Sequence, residues 1–230
     1  RVSTLAKCYD RIGDSDKAFS YFTKTNNLVL QQTDVKIFNK NRYLQKIKTR
    51  RKFFTKSKVN KWSNLKLSDK RQDPTFLVGF PRSGTTLLDT ILDSHPMIEV
   101  LEEKNMVEKF INSLSELPSG GLDDLENMQG DQLKKIRDIY FNSLEQMVKN
   151  KNNSKLYIDK LPLNIIYVGE IFRIFPNAKF ILSLRHPCDC VLSCFMQNFK
   201  LNDAMANFLN LDDTAYLYDS VMNLWTQYTS

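Results

Sequence analysis

The residues best equipped for chemistry are Gly79-Phe80-Pro81-Arg82-Ser83-Gly84, a loop with glycine at each end, followed at once by Thr85 and Thr86. Phe76 to Val78 precede it as a short apolar run, which a buried parallel strand would show. Thr85 to Leu92 follow it, with Leu88, Ile91 and Leu92 spaced for one face of a helix. Strand, glycine-ended loop and helix form the frame of a phosphate-binding loop. Backbone N–H groups and the positive end of the helix face an anion there. The spacing is that of the pattern G-x-x-x-x-G-K-[ST], with one departure: Thr85 stands at the lysine position, and the positive charge lies inside the loop as Arg82. Nucleotide hydrolases use that lysine on the β- and γ-phosphates. Arg82 with the hydroxyls of Ser83, Thr85 and Thr86 can still hold a phosphate, or a phosphate carrying another group. An ordinary glycine turn is the competing reading.

Further candidates lie at the ends of other apolar runs. Ile98 to Leu101 read as a strand that runs into Glu102 and Glu103. A carboxylate at a strand's carboxyl end faces the ligand crevice of an α/β sheet and can take a proton from an acceptor hydroxyl. The alternative is a solvated glutamate pair favourable to a helix dipole. Tyr157 to Lys160 end a strand just before Pro162, so Lys160 is either a fixed cation or a surface lysine before a turn. Lys179 to Leu184 read as a second buried strand, which stops at Arg185-His186-Pro187. Ser193 follows eight residues after Arg185, two turns into the next helix; an arginine fork and a hydroxyl suit a phosphate dianion. His95 precedes Pro96 at a helix end and reads as a turn residue. Cys188, Cys190 and Cys194 fall on scattered helical faces, and no His or Cys set completes a tetrahedral metal site, so buried thiols are expected.

Pro81-Arg82-Ser83-Gly84-Thr85-Thr86-Leu87 resembles the 5′-phosphosulfate loop of sulfotransferases. Those enzymes move a sulfuryl group from 3′-phosphoadenosine-5′-phosphosulfate (PAPS) to an acceptor. The order of that loop, His95-Pro96 and Glu102-Glu103 is similar to tyrosylprotein sulfotransferases, in which the second glutamate is the proposed base. Leu101 and Lys104 depart from their Gly-Glu-Glu-Thr pattern. Asp159-Lys160-Leu161-Pro162 is also similar to sulfotransferase sequence, and Arg185 with Ser193 resembles the 3′-phosphate site of PAPS enzymes. The resemblance implies that Arg82, Ser83, Gly84, Thr85 and Thr86 hold the 5′-phosphosulfate and that Arg185 and Ser193 hold the 3′-phosphate. It implies Glu103 as the base, with Lys160 and Arg82 steadying the leaving oxygen, and no metal. Histidine is the base in the cytosolic small-molecule enzymes, which keeps His95 as the rival to Glu103.

These groups need a scaffold. The expected fold is α/β, a P-loop-like parallel sheet flanked by helices and preceded by an all-α, repeat-like segment. Residues 1–32 form the first division. Leu5-Ala6-x-x-Tyr9 and Ala18-x-x-x-Phe22 stand at tetratricopeptide spacing, with Ala6 in place of glycine. Residues 33–74 are expected as a basic connecting helix and linker, and 75–230 as the sulfotransferase domain, without the family's C-terminal part. Lys36 to Arg71 hold fourteen basic residues against Asp69 alone, so the remainder of a chain of net charge +7 is acidic. Such charge argues association rather than fold.

The 230 residues contain no apolar run long enough for a membrane span, and four cysteines do not make a disulfide framework. A cytoplasmic, reducing setting is expected, with no nucleic-acid or membrane partner. The expected partners are a hydroxyl acceptor, with protein tyrosine a candidate, and a protein held by the N-terminal helices. Two other function classes stay open: a helical-repeat binding module carrying an inactive nucleotide fold, and a P-loop nucleotide kinase. The missing lysine at Thr85 and the lack of an obvious Mg²⁺ carboxylate argue against the kinase.

Overall fold

The computed structural model describes residues 2–31, 37–60, 62, 69, 71–119, 121–128, 130–148 and 155–230. Its chain divides into two compact units, Arg1–Thr49 with His186–Asn223, and Arg50–Arg185 with Leu224–Ser230.

In the first unit, α1 (Val2–Arg11) and α2 (Ser15–Leu30) form a helical hairpin around Gly13, whose φ of 80° suits the turn. Asp14 caps α2 by accepting from the Lys17 backbone N–H. Ala6, Ala18 and Phe22, three of the repeat-like positions, are buried against Phe195 of α10 (Pro187–Phe195). Tyr9 and Tyr21 stack at 5.3 Å, and Asn26 donates to the Phe195 carbonyl. The hairpin's inner face is thus covered by a segment that comes late in the chain. Within the expected connecting segment 33–74, α3 covers Lys40–Phe53, and residues 33–36, 61, 63–68 and 70 lie outside those described. Cys190 and Cys194 are buried in α10, while Cys8 and Cys188 are exposed.

The second unit holds a four-stranded, all-parallel sheet. Its strands are β1 (Thr75–Gly79), β2 (Ile98–Glu102), β3 (Leu156–Lys160) and β4 (Lys179–Ser183), in the spatial order β2-β3-β1-β4. β1 is buried along its whole length, as its uninterrupted apolar sequence requires. Registers Phe76↔Asp159, Leu101↔Asp159 and Phe76↔Phe180 place Leu101, Asp159, Phe76 and Phe180 in one row across the sheet. That face meets α8 (Gly130–Met147) through Tyr140, which packs on Phe76 and on Phe110 and Phe175. The other row, Leu77, Lys160 and Glu102, lies on the side of α5 (Thr85–Asp93).

Two helices turn charged or polar side chains inward beside their apolar ones. On α8, Arg137 and Phe141 are buried along with Leu133, Ile136 and Tyr140, and Met147 is exposed. Arg137 turns inward because Asp69 (3.1 Å) and Asp73 (2.8 Å) neutralise it and the Ile174 carbonyl accepts from it. Hydrogen bonds from Arg71 and Arg137 hold the Asp69 carboxyl well below the usual carboxylate range. The residues just before β1 are fastened to α8 by this network. On α5, Thr85 and Asp89 are the buried residues, whereas Leu87 and Ile91 are exposed. The reason is a charge under the sheet's edge, described below.

Asp159 is buried among aromatic rings. Its Oδ2 accepts from the Tyr140 hydroxyl at 3.3 Å, and its Oδ1 has no hydrogen-bond partner. Burial pushes its carboxyl up from 3.8 to about 8, against the smaller downward pull of Tyr140. The folded state therefore binds this proton more tightly than the unfolded chain does. No penalty exists below about pH 4; stability falls as pH rises through about 8. Asp159→Asn removes the ionisable group and keeps an acceptor for Tyr140. Its stability relative to wild type is expected to rise between pH 5 and pH 8, by roughly 4 kcal/mol, and to level off above that. Urea denaturation across that range measures it, and a difference independent of pH would contradict the assignment.

Candidate active site

The loop from Phe80 to Gly84 leaves β1 and enters α5. Gly79 is required at its start: a Cβ there would lie 2.7 Å from Ser83 Oγ and 2.8 Å from the Ser183 carbonyl oxygen. Gly84 adopts φ 97° and caps α5 without a side-chain hydrogen bond, so the first-turn N–H groups of the helix open into the loop. The Ser83 N–H donates to the Phe80 carbonyl, and Ser183 Oγ donates to the Ser83 carbonyl at 2.9 Å. β4 thereby fixes the loop's shape. Ser83 Oγ is buried and has no hydrogen-bond partner. Thr85 is buried, and Thr86 and Arg82 are exposed.

Arg82 has φ 68° and Glu103 φ 49°, and among the described residues these are the non-glycine positions with positive φ. An L-residue in that region carries strain of about 1–2 kcal/mol, and such strain collects at functional sites. At Glu103 it has a visible effect. The adjacent glutamates are expected to point opposite ways, as on a strand; the structure instead brings both carboxylates toward one cation. The Glu103 N–H extends the β2–β3 ladder by donating to the Lys160 carbonyl at 2.7 Å, and the left-handed turn then folds its side chain back.

Lys160 is that cation, and its side chain is 0% exposed. Its Nζ lies 2.7 Å from Glu102 Oε1, 3.0 Å from Asp89 Oδ2 and 3.7 Å from Glu103 Oε1. Burial alone would lower its pKa. The hydrogen bonds and charges of Glu102 and Asp89 outweigh this and hold the ammonium above the usual lysine range. Lys160 is therefore charged at neutral pH and is no surface lysine. Asp89 has no place among the residues the sequence analysis singles out. Its signal is the four-residue spacing from Thr85, which puts both polar side chains on one buried face of α5.

Residues 74–230 match the Sulfotransferase family. The chain belongs to this family. It is similar to an uncharacterized protein of Aquifex aeolicus (strain VF5), 32% identical over 215 residues, covering 89% of this chain and 27% of that protein. It is also similar to protein-tyrosine sulfotransferase 2 of Gallus gallus, 27% identical over 112 residues, covering 48% of this chain and 30% of the relative. Protein-tyrosine sulfotransferase 1 of Homo sapiens is 29% identical over the same length, with 48% and 30% covered. The chain thus spans about 30% of the length of these curated relatives.

In this sulfotransferase-family chain, the carboxyl ends of the four strands carry Gly79, Glu102, Lys160 and Ser183 on one edge of the sheet. Ligands of open α/β sheets sit outside that edge. Arg185, two residues beyond β4, is exposed and donates through Nη1 to the Arg82 carbonyl at 3.4 Å, which brings it to the loop. Ser193 is half-buried on α10 and belongs to the first unit. His95 is exposed at the far end of α5, where its Nδ1 accepts from the Met97 N–H. That bond gives it the turn role. Among the described residues no helix is long and apolar enough to cross a membrane.

Because Gly relieves a positive φ that Ala cannot, Glu103→Gly is expected to be more stable than Glu103→Ala by about 1 kcal/mol, although both lose the carboxylate. Chemical denaturation of the pair reads this difference. An Ala variant as stable as the Gly variant would show that Glu103 carries no backbone strain.

Proposed function

We propose that this protein transfers a sulfuryl group from PAPS to an acceptor hydroxyl. The observation that carries the reading is the lysine-free phosphate loop at an uncapped helix N-terminus, with a buried ammonium and two glutamates at the neighbouring strand ends, in a member of the sulfotransferase family. The donor's 5′-phosphosulfate fits what the loop offers. Ser83 Oγ is a buried hydroxyl without a partner, next to a helix N-terminus that has no side-chain cap.

Arg82, Ser83, Gly84, Thr85 and Thr86 bind the phosphosulfate, through backbone N–H groups, hydroxyls and one guanidinium. Arg185 binds the 3′-phosphate. Glu103 accepts the proton of the acceptor hydroxyl as its oxygen bonds to sulfur. The bond from sulfur to the bridging oxygen breaks, and its electron pair stays on the departing 5′-phosphate of 3′,5′-diphosphoadenosine. Lys160 and Arg82 stabilise the charge that grows on that oxygen. Fixed cations and the helix dipole supply the electrostatics, and the scheme uses no metal.

The similarity to protein-tyrosine sulfotransferases makes a tyrosine in a protein or peptide the first acceptor to try. The exposed apolar side chains Leu5, Ile12 and Leu28 support a protein-binding role for the α1–α2 hairpin. A reducing compartment is the proposed setting, supported by the free thiols of Cys8 and Cys188.

Calorimetry of the full-length protein with 3′,5′-diphosphoadenosine and with ATP tests the donor class. Preference for ATP would favour the kinase reading, and binding of neither the inactive-fold reading. Arg185→Ala is expected to weaken 3′,5′-diphosphoadenosine by about 1.5–3 kcal/mol, as for a hydrogen bond to a charged group, and 5′-AMP much less. Equal losses would remove Arg185 from the 3′-phosphate site. Glu103→Gln keeps the side chain's shape and removes the proton acceptor. With PAPS and a tyrosine peptide, kcat is expected to drop by about 10²–10⁴ at unchanged nucleotide affinity. Near-normal turnover in Glu103→Gln, with turnover abolished in His95→Asn, would transfer the base role to the histidine.

A further inference from the structure

Lys160 has three carboxylates around its ammonium, and they are not equivalent. Asp89 is buried on α5, 3.0 Å from Nζ. Glu102 is closer, at 2.7 Å, but its side chain is 58% exposed. Glu103 stands at 3.7 Å, beyond hydrogen-bonding distance, and is 63% exposed. A charge taken out of water needs a counter-charge that is itself out of water, because solvent screens the exposed ones. An ammonium has three N–H donors; Glu102 accepts from one of them, and Asp89 is the buried ion-pair partner at 3.0 Å. A mid-helix aspartate is a poor helix former, and its burial is unfavourable without a cation. Asp89 nevertheless takes the inward face of α5, while Leu87 and Ile91 stay in solvent.

We propose that Asp89 is a positioning residue for Lys160: it anchors the ammonium from the helix side, so that Glu103 remains without an ion-pair partner at hydrogen-bonding distance. This deepens the sulfuryl-transfer reading and rests on it for its catalytic consequence. Both roles in that reaction depend on the division of labour. Glu103 can take a proton only while it is not hydrogen-bonded to Lys160. Lys160 can meet the charge on the leaving oxygen only while it is held at the sheet's edge. Without Asp89 the ammonium has two exposed carboxylates as its nearest charges, and the nearer approach of Glu103 becomes its replacement contact. The carboxylate is then tied down and the cation displaced.

The test uses the full-length protein and the variants Asp89→Asn and Asp89→Glu. Reductive methylation with formaldehyde and borohydride, read at Lys160 by peptide mass spectrometry, reports the anchoring directly and needs no donor or acceptor. Lys160 is expected to resist modification in the wild type, to react readily in Asp89→Asn and to regain protection in Asp89→Glu. With PAPS and a tyrosine peptide, Asp89→Asn is expected to lower kcat by about 10²-fold, the effect of a small misplacement of catalytic groups, at unchanged affinity for 3′,5′-diphosphoadenosine. In a Lys160→Gln background the same change is expected to cost nothing further, because it acts through the lysine. Unchanged protection of Lys160 in Asp89→Asn overturns the proposal. So does a loss of nucleotide affinity as large as the loss of kcat, which would make Asp89 a support of the phosphate loop. If Asp89→Asn does not fold, Glu102→Gln serves instead: with Asp89 as the anchor Lys160 is expected to stay protected, and ready modification of Lys160 in that variant overturns the proposal. A methylation pattern as expected in a protein that binds no 3′,5′-diphosphoadenosine upholds the anchoring and overturns the donor reading instead.

Discussion

A buried ammonium at the carboxyl edge of a parallel sheet sets the terms for much of the larger unit. Lys160 has no exposed side-chain surface, and a charge so placed must be compensated nearby. Asp89 of α5, Glu102 of β2 and Glu103 of the following turn supply the compensation. That demand explains why α5 turns a polar face toward the sheet and leaves Leu87 and Ile91 exposed. It also explains why two adjacent glutamates converge where strand geometry would separate them. The positive φ of Glu103 accompanies that convergence.

The phosphate loop is held by a different kind of constraint. Its shape depends on close backbone approach at Gly79, on the left-handed Gly84, and on hydrogen bonds from Ser183 and Arg185 to its carbonyls. Those bonds engage two of the loop's carbonyl oxygens and leave the Ser83 hydroxyl without a partner. The first-turn N–H groups of α5 and the Ser83 hydroxyl are therefore available to an anion. Arg82 contributes charge from a strained backbone, and Lys160 contributes it from a relaxed strand end. Cationic groups thus reach the edge from two neighbouring strands, with Glu102 and Glu103 on the β2 side of Lys160. An anionic donor and an acidic group able to accept a proton can coexist there only if each carboxylate has a defined partner or a defined lack of one.

The opposite face of the sheet shows what burial does to a carboxylate whose partner is a hydroxyl. Asp159 sits beside Lys160 in sequence but points into the aromatic layer of Tyr140 and Phe76, where the Tyr140 hydroxyl is its partner. Burial there favours the protonated form, with a pKa of about 8. Adjacent residues of one strand thus hold opposite electrostatic states, one stably ionised and the other neutral at low pH, because period-two alternation sends them to different environments.

Much of this was legible in the sequence. The uninterrupted apolar runs before Gly79 and before Arg185 marked two of the parallel strands, and the glycine-ended loop marked the turn from β1 into α5. The repeat-like spacing of Ala6, Ala18 and Phe22 marked the buried face of the hairpin. Local spacing settles such features because strands, tight loops and helix faces are set by neighbours in the chain. Tertiary structure decided what depends on partners far apart in sequence. Periodicity put Ile91 inside and passed over Asp89, since only the position of Lys160, seventy-one residues later, gives that aspartate a reason to be buried. The inward turn of Arg137 depends in the same way on Asp69 and Asp73. The left-handed turn at Glu103 and the resulting convergence of two glutamates on one cation have no signature in residue spacing. Long-range charge compensation, and the backbone strain that accompanies it, exist only once the strands lie side by side.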